Sequence, residues 1–183
     1  IMGSNMNKVI AMIPARMGSK RIKNKNLRLL GNKPLISHVI ETVKDSGVFD
    51  DIYINSESEV FEKIANQYGI KFYKRPEELS SDTATNDDFT LDFMKNVEGD
   101  LLIQVLSTSP FITKEQVISF VKKAKSVDTL ISTKEVKIES IYKNKPINFD
   151  QKSQTPPSQL LEPVNAYACS LMSWGYKNFI KNI

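Results

Sequence analysis

Val9-Ile10-Ala11-Met12-Ile13-Pro14-Ala15-Arg16-Met17-Gly18-Ser19-Lys20-Arg21-Ile22-Lys23-Asn24-Lys25-Asn26 is the stretch on which the fold turns. Its first five residues form an apolar run of strand length, cut off at Pro14. Gly18 and the basic side chains Arg16, Lys20, Arg21, Lys23, Lys25 and Arg28 follow. A buried strand running into a Gly-containing basic loop is suited to a polyphosphate. Glycine lets backbone N–H groups come close, and Arg and Lys neutralise the charge. A plain basic surface loop after a core strand is the competing reading. The loop has neither Gly-Lys-Thr/Ser at P-loop spacing nor Gly-x-Gly-x-x-Gly, so it is neither a Walker A loop nor a dinucleotide fingerprint.

Outward from this stretch, apolar runs and amphipathic segments alternate. Strands are expected at 9–13, 51–55, 70–73, 100–106 and 129–133. Helices are expected at 34–45, 57–68, 87–96 and 114–126, with Gly47 and Gly69 just past the ends of the first two. The alternation predicts an α/β fold, a mostly parallel sheet with helices on both faces. Ligands of open sheets sit beyond the carboxyl ends of strands, where the basic loop and residues 106–111 both fall. Residues 144–164 hold four of the eight prolines and little periodicity. They are expected to be an irregular excursion, a lid or a dimer contact.

A length of 183 residues suits one domain, and 40% hydrophobic residues is ordinary for a globular chain. No apolar run reaches membrane-spanning length, and Ile1-Met2-Gly3-Ser4-Asn5-Met6 lacks the apolar core of a signal peptide. With Cys169 as the one cysteine, an internal disulfide is excluded and a cytoplasmic location is expected. The net charge of +4 is modest and lacks a nucleic-acid motif, so a local anion site is preferred to a nucleic-acid surface. His38 is the one histidine, which removes His-based zinc sites and Ser-His-Asp triads. It is expected at a surface or capping position, and Cys169 is expected to be buried rather than nucleophilic.

Ile13-Pro14-Ala15-Arg16, Gly18-Ser19-Lys20-Arg21 and Lys25-Asn26 together resemble the opening of the acylneuraminate cytidylyltransferase family. Leu29-Leu30-Gly31-Asn32-Lys33-Pro34-Leu35-Ile36 extends the likeness, and the Gly-Ser-Lys favours the sialic-acid-like branch over the 3-deoxy-manno-octulosonate one. The resemblance implies a Rossmann-like, nucleotide-diphospho-sugar-transferase-like fold. It also implies transfer of CMP from CTP to the anomeric hydroxyl of a sialic-acid-like 2-keto-3-deoxy sugar acid, an acidic nine-carbon-type sugar, with release of pyrophosphate. Arg16, Lys20 and Lys25 would then act on the phosphates. Ala15, Gly18, Ser19 and Asn26 would bind nucleotide beside them.

Arg75-Pro76-Glu77-Glu78-Leu79-Ser80-Ser81-Asp82-Thr83-Ala84-Thr85 resembles the family's base-pocket segment, which implies roles for Arg75, Ala84 and Asn86 around cytosine. Thr108-Ser109-Pro110 matches the core of the family's Gln-Pro-Thr-Ser-Pro turn, but Leu106 and Ser107 stand where its glutamine and first proline would be. Gln104, two residues upstream on the same strand face, either reaches the sugar with Ser109 or satisfies a buried amide. Lys152 and Gln154 fall in a segment weakly like the family's Arg-x-Gln-x-x-Pro, a plain loop being the alternative. Asn165 to Cys169 parallels an Asn-Gly-Ala-x-Tyr strand without its glycine.

The resemblance further implies Mg2+, held by an Asp-x-Asp segment that this sequence lacks. Those aspartates are expected beyond Ile183, the C-terminus being incomplete. Asp82 and Asp100 are candidate substitutes, an N-cap and a strand-start turn being their ordinary roles. A single nucleotidyltransferase domain is expected over 1–183, with a nucleotide-binding core at 6–143. A homodimer is expected, with no nucleic-acid or membrane partner. The competing functional readings are a non-catalytic nucleotide-binding homologue and a sugar nucleotidyltransferase using another triphosphate.

Overall fold

The structure, a computed structural model, describes residues 8–18, 22–154 and 156–183. Strand β1 (Val9–Pro14) is buried along nearly its whole length. It pairs in parallel with β4 (Asp51–Ser56) on one side and with β6 (Leu101–Val105) on the other. β5 (Lys71–Lys74) adds to β4, also in parallel. The six-stranded order is β5-β4-β1-β6-β10-β7, where β7 is Thr129–Val136 and β10 is Val164–Gly175.

Residues two apart in β1 show why the sheet needs cover on both sides. Val9, Ala11 and Ile13 pack in one apolar cluster with the inner faces of α1 (Leu35–Ser46), α2 (Glu59–Tyr68) and α4 (Lys114–Ala124). Ile10 and Met12 point the other way, among Phe93, Met94, Tyr176 and Phe179 from α3 (Asn86–Asn96) and α5 (Tyr176–Asn182). A strand buried on both faces reads as a continuous apolar run, as this one does. Each fully buried Ile or Phe stabilises by about 1.5–3 kcal/mol, so the two clusters dominate the fold's stability.

The chain reaches α1 through a hairpin of β2 (Leu29–Leu30) and β3 (Lys33–Pro34), turned at Gly31 with a left-handed φ of 68°. A ring nitrogen of His38 lies 2.8 Å from the Leu30 carbonyl and braces this hairpin on the helix. Ser58 caps α2, and full capping boxes at Thr85 and Thr113 start α3 and α4.

The expected strands and helices are present, and the sheet is mostly parallel with helices on both faces. The main sheet gains β10, which pairs antiparallel to β6, Leu171 opposite Val105 through Gly175 opposite Leu101. Two compact units result: residues 1–130 with 170–183, and residues 131–169. The second unit contains the small hairpin of β8 (Ile141–Tyr142) and β9 (Lys145–Pro146), and it includes the proline-rich 144–164 stretch. In that unit Asn148 accepts from the Ser140 N–H and donates to the carbonyls of Ile138 and Glu162. No helix among the described residues is long and apolar enough to cross a membrane.

Candidate active site

Parallel pairing puts the carboxyl ends of β1, β4, β5 and β6 on one edge of the first unit. The loops leaving those ends enclose a cleft of about 310 Å³ lined by Pro14, Ala15, Arg16, Lys25, Asn26, Arg75, Phe89, Leu106, Ser107 and Thr108. Five residues singled out from sequence therefore meet here: Ala15, Arg16, Lys25, Asn26 and Arg75. Ser19, Lys20 and Arg21 lie outside the described residues.

Each side chain is held for a local reason. Ala15 continues β1 by donating its N–H to the Asn55 carbonyl at 3.0 Å, which leaves the next residue to turn out of the sheet. Arg16 extends to the segment after β5. Its Nη1 lies 3.3 Å from the Ser80 carbonyl, 3.4 Å from the Ser81 carbonyl and 3.4 Å from Asp82 Oδ1. Lys25 opens a single 3-10 turn, Lys25–Leu27, that follows Asn24 in a left-handed conformation. The buried Asn26 knots two loops together: its Nδ2 donates to the Arg16 carbonyl (3.4 Å), and its Oδ1 accepts from Ser107 Oγ (2.5 Å).

Arg75 is only 4% exposed. Its Nε donates to Asn55 Oδ1 at 2.8 Å and its Nη2 to the Asn55 carbonyl at 2.9 Å. Its guanidinium also lies over the Phe89 ring, 4.1 Å from the centroid. Burial pulls its pKa down to about 10. Glu57 opposes that pull, and Arg16 adds to it. Two of its five N–H donors are spent on Asn55, which makes the guanidinium a fixed wall of the cleft.

Gln104, 1% exposed, donates from Nε2 to Asn86 Oδ1 at 2.6 Å and accepts from Thr90 Oγ1 at 3.4 Å. Two residues chosen for different subsites thus form one pair, and Gln104 has the partners that a buried amide requires. Ala84 donates its N–H to Ser81 Oγ, and Ser109 Oγ donates to Ser170 Oγ at 2.8 Å. Gly18 is exposed, and a Cβ built on it meets nothing within 4 Å. Packing within the chain therefore does not demand a glycine there. Lys152 and Gln154 are exposed in the second unit, the Lys152 N–H donating to Asp150 Oδ1.

Sequence reasoning missed Asn55, Glu57, Phe89 and Ser107. Asn55 is a polar residue closing an otherwise apolar strand, and that signal was available. Phe89 falls within the helix expected at 87–96, where an apolar side chain reads as core, and Glu57 opens the helix expected at 57–68.

Among the described residues no group of three or more His, Cys, Asp or Glu could hold a metal ion. Asp82 faces Arg16, and Asp100 accepts from the Lys8 N–H at the start of β6, the opposite edge of the sheet. Neither builds a divalent-cation site with the residues described.

The cytidylyltransferase family profile matches residues 10–155. The N-acylneuraminate cytidylyltransferase of Escherichia coli O18:K1:H7 is 32% identical over 179 residues, covering 96% of this chain and 39% of that protein. A Legionella pneumophila CMP-N,N'-diacetyllegionaminic acid synthase is 36% identical over 116 residues, 60% of this chain and 50% of that protein. The chain thus spans about two fifths to one half of these relatives' length. Among solved structures, a CMP:2-keto-3-deoxy-manno-octonic acid synthetase complexed with CTP superposes with a TM-score of 0.75 at 17% identity, covering 96% of this chain and 77% of that one. A 4-diphosphocytidyl-2C-methyl-D-erythritol synthase from Anaerococcus prevotii gives 0.66 at 14% identity, covering 95% and 74%. At such identities the two structures speak for the fold alone. The residues that line the cleft fall within the matched span, and the chain belongs to the cytidylyltransferase family, with the acylneuraminate cytidylyltransferases among its relatives.

Proposed function

We propose that this chain transfers CMP from CTP to the anomeric hydroxyl of a sialic-acid-like 2-keto-3-deoxy sugar acid. The observation that carries the proposal is the cleft itself, where Arg16, Lys25 and Arg75 converge with Asn26 and Ser107 at the carboxyl edge of a parallel sheet. In the reaction the anomeric oxygen bonds to the α-phosphorus of CTP as the bond to pyrophosphate breaks. Such transfers ask the protein mainly for positioning and charge neutralisation.

Arg16 and Lys25 hold the phosphates, with Lys20. Gly18, Ser19, Ala15 and Asn26 bind the nucleotide beside them. Arg75, Ala84 and Asn86 frame cytosine, whose O2 accepts and whose N4 donates. Gln104, Ser109, Lys152 and Gln154 are the sugar-side residues. Gln104, bonded to Asn86, is thereby also a positioning residue for the cytosine side. A sialic-type acid is favoured over the eight-carbon alternative by the Gly18-Ser19-Lys20 signature.

Mg2+ belongs to the proposal as a requirement of nucleotidyl transfer, but the described residues offer no cluster of carboxylates that fits it. A homodimer is also proposed, through the exposed apolar side chains Ile138, Ile141, Tyr142, Ile147 and Leu160 of the second unit. The proposed location is the cytoplasm.

Calorimetric titration of CTP, UTP, ATP and GTP, with magnesium present, tests the nucleotide half. CTP is expected to bind best, and Arg16→Ala is expected to weaken it about tenfold or more, the scale of a lost charge-assisted contact. Preference for another base overturns the cytidylyl assignment, and unchanged CTP affinity in the variant removes the phosphate role of Arg16.

A further inference from the structure

Glu57 is the first residue after β4, and its carboxylate reaches two loops far from it in sequence. Its Oε1 accepts the Met17 N–H at 2.8 Å. Its Oε2 accepts Ser80 Oγ at 3.1 Å and Ser56 Oγ at 3.3 Å. Met17 directly follows Arg16, and the Ser80 carbonyl is one of the acceptors for Arg16 Nη1, at 3.3 Å. The contacts therefore close a ring: Arg16 to Ser80, Ser80 to Glu57, Glu57 to Met17, and back along the chain to Arg16. The Glu57 backbone carbonyl also accepts Lys74 Nζ at 2.6 Å, next to Arg75.

We propose that Glu57 is a positioning residue for the phosphate end of the cleft, an anionic clasp that fixes the Met17 backbone and the Ser80 segment so that Arg16 is ready for a nucleoside triphosphate. The proposal rests on the phosphate role assigned to Arg16 above.

A carboxylate beside a triphosphate site is electrostatically adverse unless something else needs it. Two things do. The clasp uses up the Met17 N–H, so that amide is not offered to phosphate; its task is to set the direction of the turn that carries Arg16. Arg16 also lies close enough to Arg75 to oppose its charge, and Glu57 offsets that repulsion. Ordering a loop before the ligand arrives reduces the entropy lost on binding.

The test compares Glu57→Ala and Glu57→Gln with the unaltered chain. CTP and cytidine are titrated by calorimetry, and amide hydrogen exchange is followed at Met17. Glu57→Ala is expected to weaken CTP about tenfold, leave cytidine within about twofold, and accelerate exchange at Met17. Glu57→Gln keeps an acceptor for Met17 N–H and is expected to recover most of the CTP affinity. Equal losses for CTP and cytidine in Glu57→Ala would mean general damage to the cleft and would overturn the proposal. So would unchanged Met17 exchange, or unchanged CTP affinity. If the unaltered chain does not prefer CTP, it is the functional reading that fails.

Discussion

At the scale of single residues, the structure separates side chains that build the cleft from those that would meet a ligand. Asn26 and Asn55 spend their amides on neighbouring loops and on Arg75, so their loss disturbs the cleft's walls. Arg16 and Lys25 are half-buried and line the cleft. Tyr176 is the opposite kind of case. Its hydroxyl is buried, and among the described residues it is the buried side-chain oxygen or nitrogen without a hydrogen-bond partner. Burial is the main cause that raises its pKa, with Tyr53 and Asp100 adding to it. A phenol whose folded pKa lies above its unfolded value stabilises the fold below the unfolded pKa, near 10. That contribution drains away as pH rises through 10 and beyond, because the unfolded chain ionises first. Tyr176→Phe removes an unsatisfied hydroxyl as well as the titration. It is expected to leave stability at pH 7 unchanged or raised by up to about 1 kcal/mol, and to flatten the alkaline decline. Urea unfolding at pH 7 and pH 10.5 measures both effects, and a loss above 1 kcal/mol at pH 7 contradicts the prediction.

At the scale of elements, two capping boxes permit a matched comparison. Thr85 starts α3 beside Ala84 and Asn86, whereas Thr113 starts α4 in the same way. Replacing either with Ala is expected to cost about 1 kcal/mol of stability. Only Thr85→Ala is expected to weaken CTP as well, by about threefold or more, because it loosens the Asn86 end of the Gln104 pair. Equal CTP affinity in both variants would detach the α3 start from the nucleotide.

The elements also show what the sequence could reveal. Apolar runs such as Leu101–Val105 and one-sided helices such as Glu59–Tyr68 announced themselves, because burial imposes their periods. The cleft's composition was legible in part, since strand ends and basic loops are local features. β10 was not legible along its length. Ser170 and Ser173 interrupt its apolar pattern, and Ser173 is fully buried with its Oγ near the Leu130 carbonyl. Nor could spacing reveal Glu57, whose partners lie 40 and 23 residues away. Such a ring exists only once the sheet has brought its loops together.

At the scale of the whole molecule, the order of strands carries a consequence for the order of events. β6 gains one neighbour, β1, from the first half of the chain, and its other neighbour, β10, from residues 171–175. During synthesis from the N-terminus, the Rossmann-like half can collapse early while one flank of a fully buried strand still waits for its partner. That flank is a row of open backbone donors and acceptors, the template on which foreign strands add. A chain ending at Pro163 is therefore expected to scatter light at micromolar concentration where the longer chain stays clear, and a clear truncated sample would contradict this. The late strand is thus a lock put in last. Until it arrives the nascent protein is a client for whatever in the cell shields sticky edges, and the time spent waiting grows with every residue inserted between 105 and 171.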